Sequence, residues 1–177
     1  MTEANPVGRF ATQAQANLMS VVGPIDAGDV ASKVAALADG PIALPVNDPV
    51  VDACAIPGAI DAGGVLPADD PSWSDLVERA ALGVTSCVVA VADTGTMVVV
   101  AAPGRPRALS LIPPHHVVIV PVDSVVDSLE TACTRLPDPM PSNLHWVSGP
   151  SRTGDLEMIS TIGIHGPLRV TAVLVRF

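Results

Sequence analysis

The stretch His116-Val117-Val118-Ile119-Val120-Pro121, followed by Ser124 to Leu136, decides the reading of the fold. Four consecutive β-branched residues, apolar on both faces, describe a strand buried on both sides, as in a parallel sheet. Ser124 reads as an N-cap with Asp127 at N3, opening a helix with Val125, Val126, Leu129, Cys133 and Leu136 on its inner face. A buried strand followed by an amphipathic helix is the repeating unit of an α/β protein.

Working outward, the same alternation recurs. Val30, Val34, Leu37 and Ala38 share one helical face within Asp29 to Ala38, and Gly40-Pro41 stops that helix. Ile42 to Pro45 reads as a short buried strand, Asp48-Pro49 as an N-cap with proline in the first turn, and Val65-Leu66 as another strand. Ser74 can cap a helix from Asp75 to Leu82. Val84 to Ala102 is dense in β-branched residues and broken at Asp93-Thr94-Gly95, which predicts two interior strands around a tight turn. Leu144 to Ser148 and Leu168 to Phe177 complete the strand set. The expected architecture is α/β with a mainly parallel sheet flanked by helices. Residues 1–28 show no sustained period and read as an N-terminal arm or short helix, leaving 29–177 as a single domain.

The chain has 177 residues, 49% of them hydrophobic, yet no apolar run nears the roughly 18 residues of a membrane span. Nothing near Glu3 reads as a signal peptide, so the expected location is cytoplasmic. A net charge of −9 with only 9 basic residues disfavours nucleic acid, and 2% aromatic content leaves few surfaces for stacking bases. Cys54, Cys87 and Cys133 are scattered and form no Cys-x-x-Cys pair, so neither a metal nor an iron–sulfur cluster held by this chain is expected.

Polar chemistry concentrates between Val147 and Pro167. Gly149-Pro150-Ser151-Arg152-Thr153 follows a strand and would place hydroxyls, backbone N–H groups and a guanidinium at a helix N-terminus, a position suited to a small anion. The plainer alternative stands beside it: Ser151 or Thr153 caps a helix and Arg152 pairs with Asp155 or Glu157. Those two carboxylates, two residues apart, diverge on a helix. His165, before Gly166-Pro167, is the best single titratable candidate, with a buried structural histidine as its alternative. His115 and His116 point to opposite faces of a strand and cannot easily share a metal. Asp93, Thr94, Gly95 and Thr96 form a turn that becomes part of a site only if it lies beside the Ser-Arg-Thr loop.

Taken together, Ala92-Asp93-Thr94-Gly95-Thr96, the segment Arg107 to Pro114, Gly149 to Glu157, and Gly163-Ile164-His165-Gly166-Pro167 resemble the LUD-domain family, in its lactate utilization protein C branch. The resemblance runs over roughly Leu82 to Phe177. Gly154 stands where the family often has Ala, and Leu156 where Ile is common. The resemblance implies the NagB/RpiA/CoA transferase-like three-layer fold. It also implies a part in oxidising L-lactate to pyruvate with iron–sulfur partner proteins that carry the clusters, this chain binding no cofactor of its own. Asp93, Thr94, Gly95, Thr96, Gly149, Ser151, Arg152, Thr153, Asp155, Glu157, His165 and Gly166 would then line one site for an anionic small molecule or nucleotide. No catalytic residue is assigned. A stand-alone ligand-binding protein or enzyme of the 5-formyltetrahydrofolate cyclo-ligase or CoA-transferase type is the alternative.

Overall fold

A computed structural model describes residues 5–56, 65–67, 71–141, 143–154, 160–162 and 165–177. In chain order the elements are α1 (Pro6–Ala16), β1 (Ser20–Asp26), α2 (Ala27–Leu37), β2 (Ile42–Leu44), α3 (Pro49–Ala53), β3 (Val65–Pro67) and α4 (Trp73–Val77). They continue with β4 (Leu82–Ser86), β5 (Val89–Val91), β6 (Thr96–Ala101), α5 (Ala108–Leu111), β7 (His115–Pro121), β8 (Val125–Val126) and α6 (Leu129–Thr134). The chain closes with β9 (Asn143–Val147), β10 (Arg152–Gly154), β11 (Ser160–Ile162) and β12 (Arg169–Arg176).

Six strands form one parallel sheet in the order β1-β12-β7-β4-β2-β3. The Val-rich run of β7 lies in its middle, and its alternation divides the core in two. Val117 and Ile119 face α2 and α3 with Val30, Val34 and Val51. Val118 and Val120 face the other way, against Phe10 and Ala14 of α1 and Met97 and Val99 of a second sheet. That second sheet has the order β8-β5-β6-β9, and α6 covers its far side through Ala132. The parallel α/β sheet flanked by helices is thus present, with a four-stranded sheet covering much of one face. Among the described residues, no helix is long and apolar enough to cross a membrane.

Residues 6–26 hold the short helix that is one of the two expectations there, α1, which buries Phe10 and Ala14, and beyond it β1 pairs along β12 as an edge strand of the main sheet. Several other local expectations are corrected. Ser124 does not open a helix. After β7 the chain makes a 3-10 turn, and Val125-Val126 pair with Ala90 and Val91, because their branched side chains are buried better as a strand of the second sheet. The helix starts at Leu129, where Ser128 Oγ accepts from Thr131 N. Helix α4 ends before Leu82, which begins a strand. The Val84–Ala102 region makes three strands, the chain passing from one sheet to the other between Cys87, whose N donates to Ile119 O, and Val88, whose N donates to Val98 O.

Candidate functional site

The Gly-Pro-Ser-Arg-Thr segment is not a helix N-terminus. Residues Arg152–Gly154 are a strand paired antiparallel with Ser160–Ile162, and Ser151 N is already bonded to Pro167 O. A backbone donor committed in this way is not offered to an anion, so the helix-dipole argument for this loop falls. The segment also stands at the amino ends of β7 and β12, where Leu168 N donates to Pro114 O. Open parallel sheets usually bind at the opposite, carboxyl edge.

The structure nevertheless brings the separated blocks together. A cleft of about 210 Å³ at this amino edge is lined by Ser110 and Leu111, by His116, by His145 to Gly149, and by Ser151, His165, Gly166 and Pro167. Gly166 packs on Ser151, and an added Cβ there would stand 3.1 Å from the Ser151 Cβ. The Asp93–Thr96 turn does not line the cleft but is tied to its wall through hydroxyls: Thr94 Oγ1 donates to Thr96 Oγ1 at 2.8 Å, and Thr96 Oγ1 lies 2.9 Å from Ser148 Oγ.

The brace between turn and loop is the end of α1. Met19 N bonds to Ala14 O and Leu18 N to Gln15 O, a Schellman closure with Leu18 at φ 65°. Asn17 is thereby fixed between both blocks, its Nδ2 donating to Thr94 O at 2.8 Å and its carbonyl accepting from Arg152 Nη2 at 2.9 Å. Gly95 permits the approach. Its φ is 64°, and a Cβ there would fall 2.5 Å from Ala14 N.

Two expected site residues are turned elsewhere. Along a strand successive side chains alternate, so with Ser151 on the cleft, Arg152 points away, to the carboxyl end of α1. Asp93 is over half exposed and pairs at 3.7 Å with Arg9, which also binds Asp127. Of Thr153 only the backbone, within β10, is described. Asp155 and Glu157 lie outside the described residues.

Sequence reasoning set His115-His116 aside as a pair on opposite strand faces and passed over His145, yet His116 and His145 both line the cleft. His116 is fully buried, its Nε2 is 2.8 Å from Thr85 Oγ1, and its Nδ1 has no hydrogen-bond partner. Burial, then the neighbouring His145 and His115, push it down to about 3. His145 Nε2 lies 2.8 Å from Ser110 Oγ and its Nδ1 3.3 Å from Asn143 Oδ1; burial and then Arg107 lower its pKa. Both rings are therefore neutral at pH 7, able to donate on one nitrogen and accept on the other. A single His in a strand carries no sequence signal for such a role. Only the tertiary neighbours reveal it. Among the described residues no three His, Cys, Asp or Glu side chains are grouped to hold a metal ion. Cys87 is buried, with a thiol raised to about 12 chiefly by burial, so it packs as a thiol instead of acting as a nucleophile.

The family model for the LUD domain matches residues 55–175, a span that contains all four blocks. The chain belongs to the LUD domain family. Its curated relatives include lactate utilization protein C of Exiguobacterium sp., 36% identical over 107 residues (57% of this chain, 46% of that protein). The protein of that name from Halalkalibacterium halodurans is 29% identical over 138 residues (73% and 60%), and that from Deinococcus radiodurans 37% over 114 (60% and 52%). The chain thus spans about half the length of the curated relatives it matches. Among solved structures, a DUF162 family protein from Deinococcus radiodurans superposes with a TM-score of 0.73 over 99% of both chains at 23% identity, which establishes the shared fold.

Proposed function

We propose that this LUD domain serves in lactate utilization, seating a small carboxylate in the amino-edge cleft and working with iron–sulfur partner proteins that accept the electrons. The observation that carries this reading is the convergence of three sequence blocks, scattered from Ser110 to Pro167, on one cleft, with the Asp93–Thr96 turn tied to its wall at Ser148, all within the region matched by the family model. The names of the relatives supply the pathway. Ser110, Ser148 and Ser151 offer hydroxyls, while neutral His145 and the exposed His165 suit a ligand carrying both a carboxylate and a hydroxyl. Asn17 and Arg152 hold the wall in place without touching the ligand.

The test is complementation. In a bacterium deleted for its own lactate utilization protein C, the wild-type chain restores growth on L-lactate and co-purifies with iron–sulfur proteins. A His145→Gln/His165→Ala variant keeps the co-purification and loses the growth. Full growth with that variant would remove the cleft from the function, and failure of the folded wild-type chain to support growth or capture such partners would remove the pathway.

A further inference from the structure

The opposite edge of the main sheet holds a second polar crevice, to which the four blocks contribute only along a narrow extension that includes Arg107. From β2 the chain goes outward to β3, then returns to place β4 on the other side of β2. Beyond the carboxyl ends of β2 and β4 the following loops diverge, which is where open parallel sheets bind ligands. Here lies a space of about 450 Å³, walled by the Asp48–Val50 loop, by Ser86–Val88, and by Arg105, Pro121, Asp123, Ser124 and Arg135. Its size is that of small-molecule sites.

The crevice is built around a fixed aspartate. Asp48 is 2% exposed. Its Oδ1 accepts from Val50 N, Val51 N and Ser86 Oγ, and its Oδ2 from Ser86 Oγ at 2.7 Å. Ser86 has a single hydroxyl proton, shared between the two oxygens, so three donors hold the carboxylate. Arg105 Nη1 stands 3.9 Å from Oδ2, within ion-pair range but beyond hydrogen-bond length, and Arg105 Nε has no partner. The mount of that arginine is rigid. Pro103-Gly104 has the signature of a type II turn, Arg105 N donates to Ala102 O, Gly104 has φ 76°, and Gly104 O accepts from Val46 N at 2.7 Å. The turn thus ties Arg105 to the very loop that carries Asp48.

Arg135 reaches the crevice from beyond α6, donating to Asp123 O at 3.3 Å. Arg107 lies on a narrow extension shared with Asp48, Ser86 and Arg105. Three of the chain's nine basic residues therefore gather here, in a protein of net charge −9. A guanidinium carried on a braced turn, with an unpartnered Nε and no hydrogen bond to the carboxylate 3.9 Å away, has donors left for an incoming oxyanion.

We infer that this carboxyl-edge crevice is a second ligand site, taking a small molecule by a phosphate or carboxylate group bound to Arg105 and Arg135. The extension holding Arg107 also touches Ser110 and His145 of the amino-edge cleft, but Arg105 and Arg135 do not line that cleft, so the two assignments can fail separately. Titration calorimetry of the full chain with inorganic phosphate, and in a second arm with acetate, tells the two sources of oxyanion apart. Saturable binding of at least one is expected, at least tenfold weaker in Arg105→Gln and weakened in Arg135→Gln, while His165→Ala leaves the phosphate isotherm unchanged. Arg135 is exposed and outside the core, so its variant retains the fold and keeps the test decisive if Arg105→Gln does not. The inference is overturned if neither anion binds at millimolar concentration, if Arg135→Gln binds as tightly as wild type, or if phosphate binding is lost in His165→Ala.

Discussion

Replacing Gly95 by alanine tests whether the N-terminal helix is seated on the turn that serves the cleft. A Cβ at φ 64° costs about 1–2 kcal/mol of backbone strain for an L-residue. That Cβ would also stand 2.5 Å from Ala14 N and 2.6 Å from Gln13 C. Both are backbone atoms of a helix, so relief requires lifting the last turn of α1 and loosening the packing of Phe10 and Ala14, both fully buried. Losing even part of a buried phenylalanine's contact adds about 1–3 kcal/mol, giving a total of about 2–5 kcal/mol. At about 2–4 °C per kcal/mol for a domain of this length, the midpoint of thermal unfolding falls by about 4–20 °C. Circular dichroism during heating, paired with urea unfolding, reads both quantities. A loss below about 1 kcal/mol would mean that α1 does not rest on the turn, and the bracing role of Asn17 would fall with it.

Other consequences follow from single features. Leu18 sits half-exposed at φ 65° in the left-handed position of a Schellman closure, so Leu18→Gly should raise stability by up to about 1 kcal/mol in urea unfolding; destabilisation would show that the side chain contributes packing that its exposure hides. His115, His116 and His145 are all held below the ordinary histidine range, burial being the first cause in each. Their unfolded forms take up protons first, so their contribution is complete above about pH 6.5 and is lost as pH falls below it, for His116 down to about 3. Between pH 7 and pH 5 each fully suppressed histidine removes about 2 kcal/mol, and His116→Gln should flatten that part of the stability profile. An unchanged slope would place protonation elsewhere.

The long buried strands were legible because both-face apolar runs such as Val117–Val120 and Val170–Val175, too short to span a membrane as helices, are the pattern of strands covered on both sides. The caps at Asp48 and the turn at Asp93–Gly95 were legible for a similar reason, their signals being local. Non-local pairing defeated the reading elsewhere. Val125-Val126 fits a helix face as well as a strand until Ala90 and Val91 are known to lie alongside. Gly-Pro-Ser-Arg-Thr contains good capping residues, but its geometry is fixed by Ser160–Ile162 and Pro167, which are distant in sequence. Helix α1 buries only Phe10 and Ala14, too sparse a stripe to stand out. Asp48 was readable as a cap and nothing in the sequence linked it to Ser86 or Arg105. The family blocks pointed to the neighbourhood of the cleft, while His116 and His145 required the fold.

The most direct test of the central claim is calorimetric titration of the full chain with L-lactate and pyruvate, comparing wild type with His165→Ala, whose side chain is exposed and remote from the core. Saturable binding that weakens at least tenfold in the variant, with unfolding unchanged, is the result predicted for a ligand seated in the amino-edge cleft. Equal affinity in both proteins, or no binding by the wild type, would contradict it.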